Sequence, residues 1–255
     1  MALSKQRDEV AQLVKFWSST EGRDKSTKCL QYGSRTLASL LAARSPKAAA
    51  KIAALSGTAS DGRKVFRLGK FLNEYVKLKA LLVGFLVSRY KLAAASLDDT
   101  QKTQLLQLIS RFGFLCYWVT DNLMLLSKIK VLGFDTKKLA RLCGIFWLVG
   151  LLGALATEVR VLRRLRSLER DRLDRLEEER RGAEDAYVQG ASSLRKIQQE
   201  KNASLLNIVK NASDAVVAAN LAQIPHKLLG RPLDETTVGA AGFVSGAISC
   251  YQLYE

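Results

Sequence analysis

Between Arg63 and Leu86 the chain reads RKVFRLGKFLNEYVKLKALLVGFL. Its apolar residues Val65, Leu68, Phe71, Leu72, Tyr75, Val76, Leu78, Leu82, Val83 and Leu86 recur mostly three or four positions apart. At about 3.6 residues per turn this spacing predicts one amphipathic helix with a single apolar stripe. The flanking and opposing positions are basic: Arg63, Lys64, Arg67, Lys70 and Lys77, with Lys79 at the edge and Glu74 as the only acid, an excess of five positive charges. Such a helix suits the surface of an anionic membrane. At roughly 1 kcal/mol per cation, charge alone gives about 5 kcal/mol, or sub-millimolar binding. Apolar burial must supply the rest. The alternative is a core-facing helix of a soluble bundle with a solvated basic face.

The same reading predicts helices along the whole chain. Val10, Leu13, Val14 and Trp17 mark a short amphipathic helix ending at Ser18–Glu21, and a second restarts at Gly22 through Leu30, Leu37 and Leu41. Gly22, Lys25 and Ser26 faintly suggest a phosphate loop, but Asp24 stands where the glycine before the lysine belongs, so no nucleotide site is expected. Ser45-Pro46 is expected to end that helix, an alanine-rich turn to follow, and Ser56–Gly62 to be a flexible joint. Ser96–Thr100 resembles a helix start, and Leu105–Ile129 is strongly apolar but interrupted by Arg111 and Asp121. We expect it to pack, although an intramembrane Asp121 paired with a partner would allow a crossing.

After a turn at Gly133–Thr136, the stretch LCGIFWLVGLLGALAT holds sixteen residues without a charge, and a snorkelling Arg141 extends it to a transmembrane helix. The central helix of a soluble bundle is the alternative. The segment 158–201 alternates charge densely, as a solvated helix does, with a softened joint expected at Gly182 and Gly190. An amphipathic helix through Leu205, Ile208, Val209, Ala212 and Val216 stops at Ile224-Pro225. Thr236–Tyr254 then runs nineteen residues without charge, and Gly239, Gly242 and Gly246 form a small-residue seam for helix packing or oligomerisation. The expected architecture is an all-α, membrane-associated helical bundle with one amphipathic surface helix and two hydrophobic spans, or three if 105–129 also crosses. Four regions follow: 1–95, 96–157, 158–201 and 202–255.

Composition narrows the partner. A net charge of +16 over 255 residues calls for an acidic surface, either nucleic acid or an anionic bilayer. Aromatics are only 7%, which disfavours base stacking, and a nucleic-acid binder would not explain the apolar runs. Cys29, Cys116, Cys143 and Cys250 are scattered without metal-ligand or disulfide-framework spacing, and are read as buried thiols. The N-terminus lacks the apolar core of a signal peptide. No nucleophile, metal or cofactor constellation is legible, and no catalysis is expected.

Four stretches together resemble the peroxin-11 family of peroxisomal membrane proteins. They are EGRDKSTKCLQYGSR (21–35), DGRKVFRLGKFLNEY (61–75), RFGFLCYWVTDNLMLL (111–126) and the C-terminal run from LLNIVKNASDAV to TVGAAGFVSGAISCYQLY (205–254). Nothing is carried over onto 158–181. The resemblance implies a peroxisomal or glycosomal membrane protein that elongates the organelle before division. Its amphipathic helix inserts as a wedge, self-association concentrates wedges, and the tubule receives a tail-anchored fission adaptor and a dynamin-related GTPase. It implies, alternatively, a pore for small metabolites, for which Arg111 and Asp121 are the candidate lining residues. Topology stays open, since two spans would put the Arg160–Arg166 cluster on the matrix side, against the positive-inside tendency.

Overall fold

The computed structural model describes residues 2–92, 97–179 and 184–254. Among the described residues the fold is all-α, with α1 (Ala2–Ser18), α2 (Thr20–Leu41), α3 (Pro46–Phe66), α4 (Lys70–Leu92), α5 (Asp99–Lys128), α6 (Thr136–Glu179), α7 (Glu184–Leu221), α8 (Ile224–Leu229) and α9 (Glu235–Tyr254). The helices associate chiefly as α5 on α6, α6 on α7, α2 on α9 and α2 on α3, with α4 laid along α5.

Glycines set the closest of these approaches. A Cβ added to Gly113 of α5 would lie 2.5 Å from the Gly150 nitrogen of α6, and one added to Gly144 would lie 2.4 Å from the Ala222 nitrogen. Tyr117, Met124, Leu139 and Cys143 form one core cluster and Tyr32, Val217 and Val238 another, with Trp147 packed against both. Trp147 stacks on Tyr117 with ring centroids 5.2 Å apart. The two clusters are therefore one continuous interior.

The start of α5 is fixed locally. Asp98 Oδ1 accepts from the Gln101 backbone N–H at 2.6 Å, and the Gln101 side chain accepts from the Asp98 N–H at 3.3 Å, a reciprocal capping box. Asp98→Ala is expected to cost about 1 kcal/mol and to lower the thermal midpoint by roughly 2–4 °C, measurable by circular dichroism in detergent.

Several expectations are corrected here. Residues 63–86 do not form one helix. α3 ends at Phe66, α4 begins at Lys70, and Gly69 between them takes the left-handed φ of 73° that residues with a Cβ resist. The joint is thus seven residues beyond Ser56–Gly62, which lies wholly within α3 and is tied to α2 by the Ser56 hydroxyl donating to the Gln31 carbonyl at 2.9 Å. The alanine-rich stretch after Ser45 is helix rather than turn, because Pro46 sits in the first turn, where its missing N–H costs nothing. Gly190 is helical within α7, its carbonyl facing Arg172 Nε at 3.4 Å, so the chain is not softened there. Gly182 lies outside the described residues.

Among the described residues one helix, rather than two or three, is long and apolar enough to cross a membrane, within Thr136–Glu177 of α6. Only 28% of that window is buried, whereas the central helix of a soluble bundle would be mostly buried. The C-terminal run is charge-free, but its hydroxyl residues, glycines and Gln252 dilute its apolar character. α5 packs on α6 and α4, as expected for it. Beyond the apolar stretch, α6 and α7 continue side by side. Leu162, Leu165 and Leu176 are buried, and Lys201 meets Glu169 at 2.6 Å.

Candidate functional site: a paired interior behind an apolar exterior

Asp24, Lys28 and Tyr32 follow one another at four-residue intervals in α2, so an acid, a base and an aromatic share one face. That face points inward. Asp24 is 1% and Lys28 3% exposed, while Leu30, Leu37 and Leu40 on the same helix are exposed. The apolar periodicity that would bury α2 in a soluble protein is turned outward here.

Opposite Asp24 stand the last turn of α3 and its cap. Arg63 Nε donates to Asp24 Oδ1 at 3.0 Å and its Nη1 to Gln31 Oε1 at 2.7 Å. Arg67 lies 3.8 Å from the same carboxylate oxygen and 3.3 Å from Asp121 Oδ2 of α5. It also donates Nη1 to the Tyr117 hydroxyl and Nε to the Arg63 carbonyl, both at 3.0 Å. Its guanidinium and the Lys70 ammonium lie over the Trp118 ring, 5.5 and 4.9 Å from the centroid. Lys70 reaches Glu21 of α2 at 2.5 Å. Asp24 and Asp121 therefore flank the two adjacent guanidiniums of Arg63 and Arg67, two acids and two bases in one network across three helices. It fixes the α3–α4 corner against the bundle.

Burial by itself pushes the Asp24 carboxyl up, but Arg63, then Lys25 and Arg67, outweigh it and hold that group well below the usual carboxylate range. On the same α2 face, Lys28 donates to Asp214 Oδ1 of α7 at 2.6 Å and to the Ser245 hydroxyl of α9 at 2.7 Å. Burial brings its ammonium down to about 8, with Asp214 pulling the other way.

The residues expected to bind membrane thus divide. Val65, Leu68, Leu72, Tyr75 and Val76 are exposed, and Phe71 is half-buried. On α4 the exposed positions continue through Leu82, Val83, Leu86 and Tyr90 at three- and four-residue intervals, while Glu74, Leu78, Leu81 and Phe85 turn inward to half-buried or buried positions. The cations behave differently. Arg63 and Arg67 are buried in the network above, and Lys64 and Lys70 are half-buried. Lys77 remains exposed but pairs with Glu74 at 3.2 Å. A lipid-phosphate grip by Arg63 and Arg67 does not fit this arrangement, because desolvated acids already hold them.

The glycine seam of α9 is occupied within the chain. A Cβ on Gly239 would lie 2.3 Å from Thr36 Oγ1, on Gly242 2.3 Å from the Tyr32 ring, and on Gly246 2.9 Å from Cys29 Sγ. It is a helix-packing seam against α2, which leaves its glycines no room to seat a second copy. Arg111 and Asp121 are not brought together. Arg111 pairs with Glu74 at 3.1 Å and borders a recess with Gln107, Ser110 and Glu158. Asp121 lines a separate cleft of about 340 Å³ with Arg35, Arg63, Lys64, Arg67 and Asn220.

Asp24 and Tyr117 organise the network, and neither was singled out from the sequence as a site residue. The available signal was the four-residue spacing of Asp24 and Lys28 on the face opposite Leu30 and Leu37.

The exterior is apolar well beyond α4. Val10, Leu13, Val14 and Trp17 of α1, Phe112 of α5, Leu142, Ile145, Val149 and Leu152 of α6, and Phe243 and Val244 of α9 are all exposed. Patches of this extent mark membrane or partner surfaces. The family model of peroxisomal biogenesis factor 11 (PEX11) matches residues 10–254. A peroxisomal membrane protein 11 homolog of Dictyostelium discoideum is 28% identical, covering 95% of this chain and 93% of its own. Peroxisomal membrane protein 11E of Arabidopsis thaliana is 28% identical over 97% and 93% of the two chains. Peroxisomal membrane protein 11-1 of Oryza sativa subsp. japonica is 30% identical over 96% and 92%. No solved structure matches. The interior ion pairs, the apolar exterior and the match along nearly the whole chain agree, and the protein belongs to the peroxisomal biogenesis factor 11 family, a protein of the peroxisomal membrane.

Proposed function

We propose that this protein elongates the peroxisomal membrane before organelle division, and that it does so by wedging rather than by catalysis. The observation that carries this reading is the exposed apolar ridge of Val65, Leu68, Leu72, Tyr75, Val76, Leu82 and Val83, fixed at a defined angle by the ion pairs behind it. A full transfer from water is worth about 1.5–3 kcal/mol per large side chain, so seven half-inserted ones supply roughly 5–10 kcal/mol. The charge contribution is smaller than the composition suggests. With Arg63, Arg67 and Lys70 drawn to acids of the bundle, the exposed Lys79 and the exposed Lys77, itself paired with Glu74, supply up to about 1 kcal/mol each. Self-association then concentrates the wedges, and the curved tubule receives a fission adaptor and a dynamin-related GTPase as partners.

The full chain reconstituted into liposomes containing anionic lipid is expected to draw tubules visible by electron microscopy. Leu72→Asp with Val76→Asp is expected to abolish them with an unchanged thermal midpoint, because both side chains are already exposed. Lys77→Ala with Lys79→Ala is expected to weaken vesicle binding only about 10–30-fold. Smooth vesicles at saturating wild-type protein, or tubules undiminished in the double Asp variant, would refute the wedge.

One observation favours a second reading, a passage for small solutes: the cleft lined by Arg35, Arg63, Lys64, Arg67 and Asp121. Conductance across planar bilayers whose anion selectivity falls in Lys64→Gln would support it. Silent bilayers remove it.

A further inference from the structure

We propose that Cys29 and Cys250 form a reversible disulfide that staples the C-terminal helix to α2. Their sulfurs lie 3.8 Å apart, although the residues are 221 positions apart in the chain. The glycine seam brings them together: Cys250 follows Gly246 by one turn on the same face of α9, and Cys29 precedes Tyr32 by one turn on α2. A Cβ at Gly246 would sit only 3.3 Å from the Cys29 nitrogen, so the two backbones pass closely at this level. A disulfide demands such an approach, with Cα atoms about 4.4–6.8 Å apart. Both thiols are half-buried, within reach of a small oxidant, whereas Cys143 is 1% exposed in the core.

The surroundings favour one sulfur as the nucleophile. The Cys29 thiol donating toward Cys250, together with Lys25, the Ser26 hydroxyl and Lys28, outweighs burial and brings Cys250 down to about 7, while Cys29 is pushed up. With a hydroperoxide as oxidant, the Cys250 thiolate attacks the distal oxygen, the O–O bond breaks, and the departing oxyanion takes a proton. The resulting sulfenic acid is attacked by the Cys29 sulfur. The S–S bond forms, the S–O bond breaks, and the hydroxyl leaves as water with the Cys29 proton. Two thiols and one hydroperoxide thus become a disulfide, water and an alcohol, or two waters when the oxidant is hydrogen peroxide.

The bridge ties the end of the chain to the helix that carries Asp24 and Lys28. It also holds α9 beside α1, where Phe16 and Tyr254 pack edge to face with centroids 6.2 Å apart. Oxidation would thereby stiffen the α2–α9 pair without moving the α4 ridge. This inference is independent of the wedge.

The test is to treat the full chain in neutral detergent with hydrogen peroxide and analyse it under denaturing, non-reducing conditions. The expected result is a monomer lighter by two hydrogens, a peptide pair joining Cys29 to Cys250, loss of two of the four maleimide-reactive thiols, and recovery with dithiothreitol. Its thermal midpoint should rise by roughly 5 °C over the reduced chain. In Cys29→Ser, which keeps a hydroxyl donor beside Cys250, dimedone should trap a Cys250 sulfenic acid about tenfold faster than one at Cys116. Cys29 and Cys250 both still maleimide-reactive after Cys116 has oxidised, or bridges found only between copies or to other cysteines, would overturn the proposal.

Discussion

Asp24→Ala is expected to destabilise the folded chain by about 3–5 kcal/mol, because it leaves Arg63 and Arg67 buried with Asp121 as the only remaining carboxylate in the network. For a chain of this length that lowers the thermal midpoint by roughly 10 °C, read by circular dichroism in detergent or nanodiscs. Asp24→Asn should cost less, since the amide oxygen still accepts from Arg63 Nε. Lys77→Ala should cost under about 1 kcal/mol, because that pair is exposed on its Lys77 side. Equal midpoints for wild type and Asp24→Ala would mean that water, not Asp24, satisfies the two guanidiniums. The pH dependence has a definite sign. The Asp24 carboxyl is held below its unfolded value, so its stabilising contribution is complete above about pH 4 and is lost as the pH falls from there through the folded value.

Gly242→Leu is the second large effect. Even a Cβ would fall 2.3 Å from the Tyr32 ring, which is 6% exposed and has nowhere to retreat, so α9 must lift from α2. Gly242→Ala is expected to cost about 1–3 kcal/mol and Gly242→Leu more. Gly57→Ala is the control of opposite sign. Nothing lies within 4 Å of its Cβ, and Gly57 is within α3, so alanine should stabilise by about 0.5–1 kcal/mol. Chemical denaturation of the three variants measures the set. If the seam instead joined two copies, Gly242→Leu would halve the particle mass and leave the unfolding midpoint in place.

These results bear on how far periodicity can be trusted in a membrane protein. The spacing of Val10, Leu13, Val14 and Trp17, or of Leu72, Tyr75, Val76, Leu82 and Val83, identifies a helix face. It does not say what that face touches. In water an apolar stripe turns to the core, since burial there is the only escape from solvent. With lipid outside, hydrocarbon is available on both sides, and the charged positions claim the interior because ion pairs and hydrogen bonds are best satisfied there. Hence the basic residues Arg63 and Arg67, read as a lipid-gripping face, stand inside with Asp24 and Asp121, and the leucines of α2 stand outside.

The amino-acid order alone determined the all-helical class, the charge-free run inside α6, the small-residue face of α9 and the family, because these depend on local spacing and on residues close together in the chain. Only the tertiary structure decided where the helix after Ser45 breaks, which cations are neutralised, and that Gly239, Gly242 and Gly246 receive Thr36, Tyr32 and Cys29 of the same molecule. The break falls at Gly69, one of several glycines in that stretch, whereas the other two outcomes turn on partners roughly 40 to 220 residues away, and no local pattern encodes which acid, ring or thiol will arrive opposite a given turn.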